Sequence, residues 1–383
     1  MPAYLHIIDY VLFILLGISV LYVFLFASFS LRMRRVKYPK STRNYKFAIF
    51  IPAYKEDSVI EDCVQHVLNQ EYPKDSYEVI VIADRMSEGV LNRLSKLPLA
   101  VIVPNFERSS KAIALQFAVE HVKVSFDVAV VLDADNIIDK TFLQEIADAF
   151  DNGMEFVQAH RVAKNTDTPV AILDACSEEI NNAIFRKGQV AVGFSANLIG
   201  SGMAFKYSWF KDNVKKLETA GEDKELERLL CKDRKFVDFL SETYVYDQKV
   251  SKSSSFYSQR RRWIASQFGI FCKSVGELPH ALVSGNYDYC NKIFQWSQPP
   301  RVILMGLVGV ITILSTVVYV NYSLKWWILL LLLGLAFAFG IPDRLVNDAF
   351  KKAICSVPLL GMMMFINLFR IRGVNKKFIH TEH

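Results

Sequence analysis

Two acidic pairs and one basic cluster hold the residues of this 383-residue chain best suited to chemistry. Asp133-Ala134-Asp135 follows an apolar run at 128–132, Glu222-Asp223 follows Gly221, and Gln259-Arg260-Arg261-Arg262-Trp263 precedes a long uncharged stretch. Carboxylates at a strand end are hard oxygen ligands suited to Mg2+ or Mn2+, which take few protein ligands and share the rest with substrate phosphates. A carboxylate facing a bound hydroxyl can remove its proton. Guanidinium groups match phosphate oxygens in charge and shape. Each signal also has a plainer alternative. Asp135 or Asp139 can cap a helix starting at Lys140, Glu222-Asp223 can simply open a helix, and the arginines can be the basic flank of a membrane segment. Neighbours on a helix point about 100° apart, so the three arginines cannot share one ligand. Gln259, Arg262 and Trp263 lie on one face and are expected to meet substrate. Arg260 and Arg261 are left for lipid headgroups or solvent.

These side chains need a frame. From residue 45 to about 239, short apolar runs at 47–51, 78–83, 100–103 and 128–132 alternate with helical periodicity at 59–69 and 109–121. Such alternation predicts an α/β sheet with parallel strands, and ligands of these sheets gather at the carboxyl ends of the strands. Pro52-Ala53-Tyr54-Lys55-Glu56, Asp84-Arg85 and Asp133-Ala134-Asp135 all fall there. Glu56 and Asp84 are placed to accept hydrogen bonds from a base or ribose, although Asp84 alone would read as turn chemistry. Lys111 opens a helix after Arg108-Ser109-Ser110, where its charge and the free N–H groups can meet phosphate; the alternative is a solvated first-turn lysine. Gly200-Ser201-Gly202 lacks the third glycine and opening helix of a dinucleotide fingerprint. It suits close backbone approach to a sugar, or a bare turn.

The ends of the chain are apolar. Hydrophobic residues make up 52% of the sequence, above the roughly 45–50% of soluble domains. Residues 11–31 carry no formal charge, which is about enough to cross a ~30 Å hydrocarbon core and too long for a signal-peptide core. No Lys or Arg precedes Leu31, whereas Arg32, Arg34, Arg35, Lys37, Lys40 and Arg43 follow it. The positive-inside rule therefore puts the N-terminus outside and the large middle region in the cytoplasm of a multi-pass inner-membrane protein. Residues 302–320 and 326–341 form a second apolar region, expected as a hairpin turning at 321–325. The stretch 354–369, broken by Pro358 and Gly361 and followed by a basic tail, is expected to lie in the interface or re-enter. Residues 268–296 mix aromatic and polar side chains and are expected along the membrane surface. The net charge of +6 is thus membrane-flanking and phosphate-facing. With no zinc-ligand spacing or RNA-binding signature, no nucleic-acid partner is expected. The six scattered cysteines are expected to be reduced.

The order of these signals resembles the membrane-embedded family 2 glycosyltransferases of the processive type, which include cellulose, hyaluronan and chitin-type synthases. The likeness runs from about residue 47 to 263, and its most specific element is Gln259-x-x-Arg262-Trp263. It implies a glycosyltransferase A type nucleotide-sugar-binding fold. It also implies that Ala53, Tyr54, Glu56 and Asp84 hold a uridine and that Lys111 lies near the nucleotide. Asp133 and Asp135 would bind the diphosphate through Mg2+ or Mn2+, and Asp223 would be the general base. Gly200, Ser201 and Gly202 would border the acceptor, with Gln259, Arg262 and Trp263 gripping the diphosphate and the acceptor terminus. Residues 378–383 are similar to Thr-centred segments that close over the nucleotide in some members. Gly221 stands where the family usually has Thr.

The expected organisation is an anchor with its basic flank (1–44), a cytoplasmic catalytic domain (45–265), an interfacial region (266–300) and a membrane hairpin with tail (301–383). The activity implied is inverting transfer from a nucleotide sugar, a UDP-sugar by the family pattern, to a growing β-linked polysaccharide. One addition to a lipid-linked acceptor and a non-catalytic membrane scaffold are the alternatives. Larger synthases use more spans for a polymer channel, so export would call for a homo-oligomer or accessory export subunits.

Overall fold

Strand β1 (Phe47–Tyr54) is apolar along nearly its whole length, and the sheet is built about it. Phe47, Ile49, Ile51 and Ala53 enter one core while Ala48 and Phe50 enter the other, as in any strand covered on both faces. The computed structural model describes residues 3–32, 37–219, 221–250, 253–357, 361–362 and 365–366. Helix α1 (Ala3–Ser30) precedes the sheet. After β1 come α2 (Ile60–Leu68), β2 (Tyr77–Asp84), α3 (Glu88–Leu94), β3 (Ala100–Ile102), α4 (Lys111–His121) and β4 (Val128–Val131). Strands β3, β2, β1 and β4 are parallel neighbours. Ser110, in extended conformation, accepts a hydrogen bond from the Ile113 N–H and starts α4 at Lys111, the usual N-cap arrangement.

The second half of the sheet corrects the all-parallel expectation. It comprises β5 (Ile137–Ile138), α5 (Phe142–Asp151), β6 (Phe156–Ala163), α6 (Pro169–Asn182), α7 (Gly188–Val190), β7 (Met203–Lys206), α8 (Tyr207–Val214), α9 (Glu222–Lys232) and β8 (Asp238–Asp247). The strand order is β3-β2-β1-β4-β7-β6-β8-β5, with β7 antiparallel to both β4 and β6. Gly200 and Gly202, at φ +88° and +65°, turn the chain into β7, a conformation open to glycine at little cost. Helix α5 starts after Thr141 without a side-chain cap, so neither Asp135 nor Asp139 is its N-cap. Helices α2, α3 and α5 cover one face of the sheet and α4, α8 and α9 the other. Phe47, Phe50, Phe142, Phe205 and Phe210 are fully buried, each contributing about 1.5–3 kcal/mol by its removal from water.

Beyond the sheet lie α10 (Ser253–Ser274), α11 (Leu278–Val283), α12 (Tyr287–Ser297), α13 (Arg301–Val318), α14 (Val320–Gly340) and α15 (Asp348–Ala353). Tyr289 and Trp296 of α12 pack inward with Cys231 of α9 and Ile270 of α10, whereas Phe268 and Tyr287 stay exposed. The aromatics of 268–296 thus divide between a packed and an exposed environment. Among the described residues, Tyr4–Ser30, Arg301–Val318 and Val320–Gly340 are long and apolar enough to cross a membrane.

The hairpin breaks at Tyr319, not at 321–325, and α14 runs on through that stretch. Lys325 pairs with Asp9 of α1, and the Trp326 Nε1–H donates to the same carboxylate at 2.8 Å. A charge that would end an isolated span is thus neutralised inside the bundle. Val20, Val23, Val308, Trp326, Leu329 and Leu333 fill the space between the three helices. Half of 354–369, and everything from 367 on, falls outside the described residues.

Candidate active site

The ends of β1 and β2 are held by two residues in left-handed backbone, Lys55 (φ 56°) and Arg85 (φ 55°). Such a conformation costs a non-glycine residue about 1–3 kcal/mol and tends to occur at functional sites. The Lys55 N–H donates to the Asp84 carbonyl at 3.1 Å, tying the strand ends together. The Asp84 side chain is buried, its Oδ1 has no hydrogen-bond partner, and the Arg85 Nε lies 4.0 Å away. A buried carboxylate oxygen in this state awaits a donor. Lys55 and Arg85 stand 5.6 and 5.8 Å from the Tyr54 ring. Ala53, Tyr54, Glu56 and Asp84 line one end of a cavity of about 1210 Å³.

Below them three carboxylates converge. Asp133 and Asp135 follow β4, and Asp247 ends β8; ligand oxygens of the three lie within 4.8 Å of one another. Sequence reasoning missed Asp247, although it closes the apolar run Tyr244-Val245-Tyr246 just as Asp84 closes β2. Burial, then Asp247 and Asp133, push the Asp135 carboxyl up to about 8. Burial also works to raise Asp247, but Lys249 (2.8 Å) and Arg161 (3.9 Å) hold it below the usual range. Three acids gathered in a partly dry site, one of them kept protonated by the others, fit a hard divalent cation well.

A stability prediction follows from that geometry. In the folded protein Asp135 keeps its proton to about pH 8, against an ordinary value of 3.8. Its contribution to stability is therefore full below pH 4 and is lost as pH rises through 8. A cation that replaces the proton offsets this loss. Mn2+ is expected to raise the melting temperature of the full chain more at pH 8.5 than at pH 6, as read by thermal denaturation. Equal shifts at both pH values would count against Asp135 as a ligand.

Lys111 sits at the centre of the site. Its Nζ pairs with Asp133, donates to the Gly200 carbonyl at 2.7 Å, and lies 3.6 Å from Glu222. Burial alone would lower the lysine, but the carboxylates of Asp133 and Glu222 overcome it and raise it, so it stays charged. Glu222 is pushed up to about 7 by burial, against Lys111 and with Asp223 and Asp133. Asp223, one residue on, is less buried and lines the cavity. Of the glycine turn only Gly200 lines it. Ser201 and Gly202 are buried behind, so their expected place at the acceptor is corrected. The Ser201 hydroxyl instead accepts from the Asp133 N–H at 3.0 Å, and a Cβ at Gly202 would come within 2.7 Å of Val245. These two residues shape the turn beneath the acids.

Helix α10 brings Gln259, Arg262 and Trp263 to the cavity. Burial lowers Arg262, opposed by the charges of Glu222 and Asp133. The helix approaches so closely that a Cβ on Gly221 would lie 3.0 Å from the Ser266 Cβ, so this position suits Gly. Arg260 corrects the helical-face argument. It faces neither lipid nor water: it is buried, paired with Asp174 of α6, and stacked 4.8 Å over Phe256 and 4.3 Å over Trp263. Arg260 also lines the cavity, so a helix position that periodicity leaves to solvent is here held by protein at the cavity wall. Arg261 does not line the cavity.

From Trp263 the cavity continues between α6 and the apolar helices to Arg301, Met305, Phe337 and Ile341. The fold has known counterparts. The structure of mannosyltransferase PcManGT from Pyrobaculum calidifontis, in complex with GDP-Man and Mn2+, is similar at TM-score 0.58 and 16% identity, over 87% of this chain and 96% of that one. S. aureus TarS 1-349 aligns over 86% of this chain and 90% of that one, at TM-score 0.41 and 16% identity. A poly(ribitol-phosphate) beta-glucosyltransferase of Bacillus spizizenii is 33% identical over 51 residues; the match covers 13% of this chain and spans 8% of that curated relative's length. The family profile described as glycosyltransferase like family 2 matches residues 44–266. Matched over more than half of its length, this chain belongs to that family, whose members transfer sugars from nucleotide sugars.

Proposed function

We propose that this glycosyltransferase performs an inverting transfer from its nucleotide-sugar donor to an acceptor held at the membrane. The observation that carries the reading is the single cavity joining Asp84 and Asp133 at the strand ends, and Asp223 in the first turn of α9, to Arg301 and Phe337 at the apolar helices. Asp84 supplies a buried acceptor for the base, and Tyr54, Ala53 and Glu56 frame it. Asp133, Asp135 and Asp247 would hold the cation, which when bound supplies Lewis-acid stabilisation of the diphosphate. Lys111 and Arg262 bring fixed positive charge to the same oxygens, where it needs no reorganisation as negative charge builds up.

Asp223 takes the proton of the acceptor hydroxyl. The acceptor oxygen bonds to the anomeric carbon as the bond from that carbon to the diphosphate oxygen breaks. The electron pair leaves on the nucleoside diphosphate, and a single displacement inverts the centre. Glu222, tied to Lys111, keeps the lysine in place. The basic flank after α1 supports a cytoplasmic position for these residues.

Processive synthesis of a β-linked polysaccharide is the second reading, favoured by the Gln259-x-x-Arg262-Trp263 pattern. The filled centre of α1, α13 and α14 favours the first, since a polymer would need a route through another copy or subunit. The purified, membrane-reconstituted protein, given GDP- and UDP-sugars with Mg2+ or Mn2+, is expected to yield one discrete product. A ladder of lengths would establish the processive reading instead. No donor-dependent release of nucleoside diphosphate would remove both.

A further inference from the structure

Glu227 lies on α9 about one helical turn after Asp223, and its side chain is 1% exposed. Its Oε1 accepts from the Leu198 N–H at 3.3 Å and pairs with the Lys292 Nζ at 3.2 Å. Its Oε2 accepts from the Lys224 Nζ and the Trp296 Nε1–H, each at 3.2 Å. A carboxylate offers about four acceptor positions, so this one is filled. Burial works to raise Glu227, and the charges of Lys224 and Lys292 overcome it and hold it below the usual range. Lys292, fully buried on α12, also bonds the Asn197 side chain. One dry carboxylate thus joins α9, α12 and the segment 197–200 that ends at the glycine turn. Helix α12 in turn packs on the apolar helix α1: Phe294 meets the Tyr22 ring, and the Tyr22 hydroxyl donates to Asn291 at 2.7 Å.

Of the three pieces, α9 depends on this carboxylate most. The segment 197–200 has other supports, since the Ile199 N–H donates to Gln158 at 3.1 Å and its carbonyl accepts from Arg161 at 3.3 Å. The other ion pairs of α9 are made with Lys273 and Glu277, whose side chains are 40% and 30% exposed, and pairs open to water hold little. Leu226 and Leu230 press α9 onto the sheet, but apolar contact is non-directional and leaves a helix free to roll or slide. Directed bonds from a buried charge remove that freedom. Asp223 precedes Glu227 by four residues, so the two share one side of the helix, and any roll of α9 carries Asp223 along the cavity wall. We propose that Glu227 is a positioning residue for the transfer: by fixing α9 to α12 it holds the Asp223 carboxylate where an acceptor hydroxyl arrives. The inference rests on Asp223 being the base and adds the residue that sets its place.

The test compares two double variants of the full chain in detergent. Glu227→Gln with Lys292→Met removes both charges yet keeps an oxygen for the Lys224 and Trp296 donors. Glu227→Leu with Lys292→Met fills the same space with hydrocarbon and ties nothing. Both are expected to melt near the unaltered protein, because neither strands one charge of a buried pair. In the Leu pair kcat is expected to fall roughly 10- to 100-fold, as a misplacement of about 1 Å can cost; in the Gln pair it stays within about threefold. Donor KM stays within about threefold in both, and amide exchange over residues 222–226 is faster in the Leu pair alone. Lys292→Met by itself, which leaves Glu227 its Lys224 partner, carries the test if the Leu pair does not fold, with the same changes in smaller measure. Equal kcat in the two pairs overturns the proposal, because filling or charge alone would then account for Glu227. So does a rise in donor KM that matches the fall in kcat, or unchanged exchange over 222–226 in the Leu pair or, in its stead, in Lys292→Met. Transfer that survives Asp223→Asn removes the base reading instead, and the exchange contrast, which needs no turnover, still reads the tie between α9 and α12.

Discussion

Asp223→Asn is expected to lower kcat by about 10²–10⁴-fold, the usual contribution of a positioned general base, with little change in donor KM. Asn keeps the size of the side chain but cannot accept the proton of the attacking hydroxyl. On the proposed reading the donor and cation are held by Asp84, Asp133, Asp135 and Lys111, which lie on other elements of the same cavity, so nucleotide and cation binding should survive. The measurement is nucleoside diphosphate release against donor and acceptor concentration. Glu222→Gln provides the contrast. Glu222 lies 3.6 Å from the Lys111 Nζ, so its loss should disturb the lysine and raise donor KM. If Asp223→Asn kept kcat within about threefold while Glu222→Gln abolished it, the base would be Glu222.

The second large effect is on stability. Asp174 and Arg260 form a buried pair, with side chains 4% and 9% exposed. Asp174→Ala leaves the guanidinium dry and unpaired, which costs about 3–5 kcal/mol. The double variant Asp174→Leu with Arg260→Met, which removes both charges, is expected to recover most of that. Because Arg260 also stacks on Trp263, the single variant should loosen the face that carries Gln259, Arg262 and Trp263. Denaturation midpoints in detergent read the first effect and donor KM reads the second. A loss below about 1 kcal/mol would mean that water or lipid reaches Arg260.

Much of the strand-end side of the cavity was legible in the sequence. Strand β1 and its neighbours are apolar runs of the right length, and the polar residues that end them can only crowd one edge of the sheet. Ser110 before Lys111 is a readable helix start. The acidic cluster was read as two residues and is three, because Asp247 is more than a hundred positions from Asp135 and is delivered by β8 pairing alongside β6. Ser201 was misplaced for a related reason. Gly-Ser-Gly advertises a close approach but does not say whether a sugar or the sheet itself comes close. Here Val245 and Ala159 do.

The end of the cavity toward the apolar helices was far less legible. Lys325 marked the end of a span as long as its partner was unknown, and Asp9 lies over 300 residues away. Arg260 was assigned to lipid or solvent because periodicity gives a direction around a helix axis, not what stands there. By itself the sequence determined the strand-helix frame, the apolar helices and the residue types at the strand ends, since these follow from local periodicity, charge and turn chemistry. Only the tertiary structure decided which charges meet. It set Asp247 beside Asp133 and Asp135 and turned Arg260 into a buried strut on Asp174. Pairing energies depend on distance and burial, and neither is a property of neighbours in sequence.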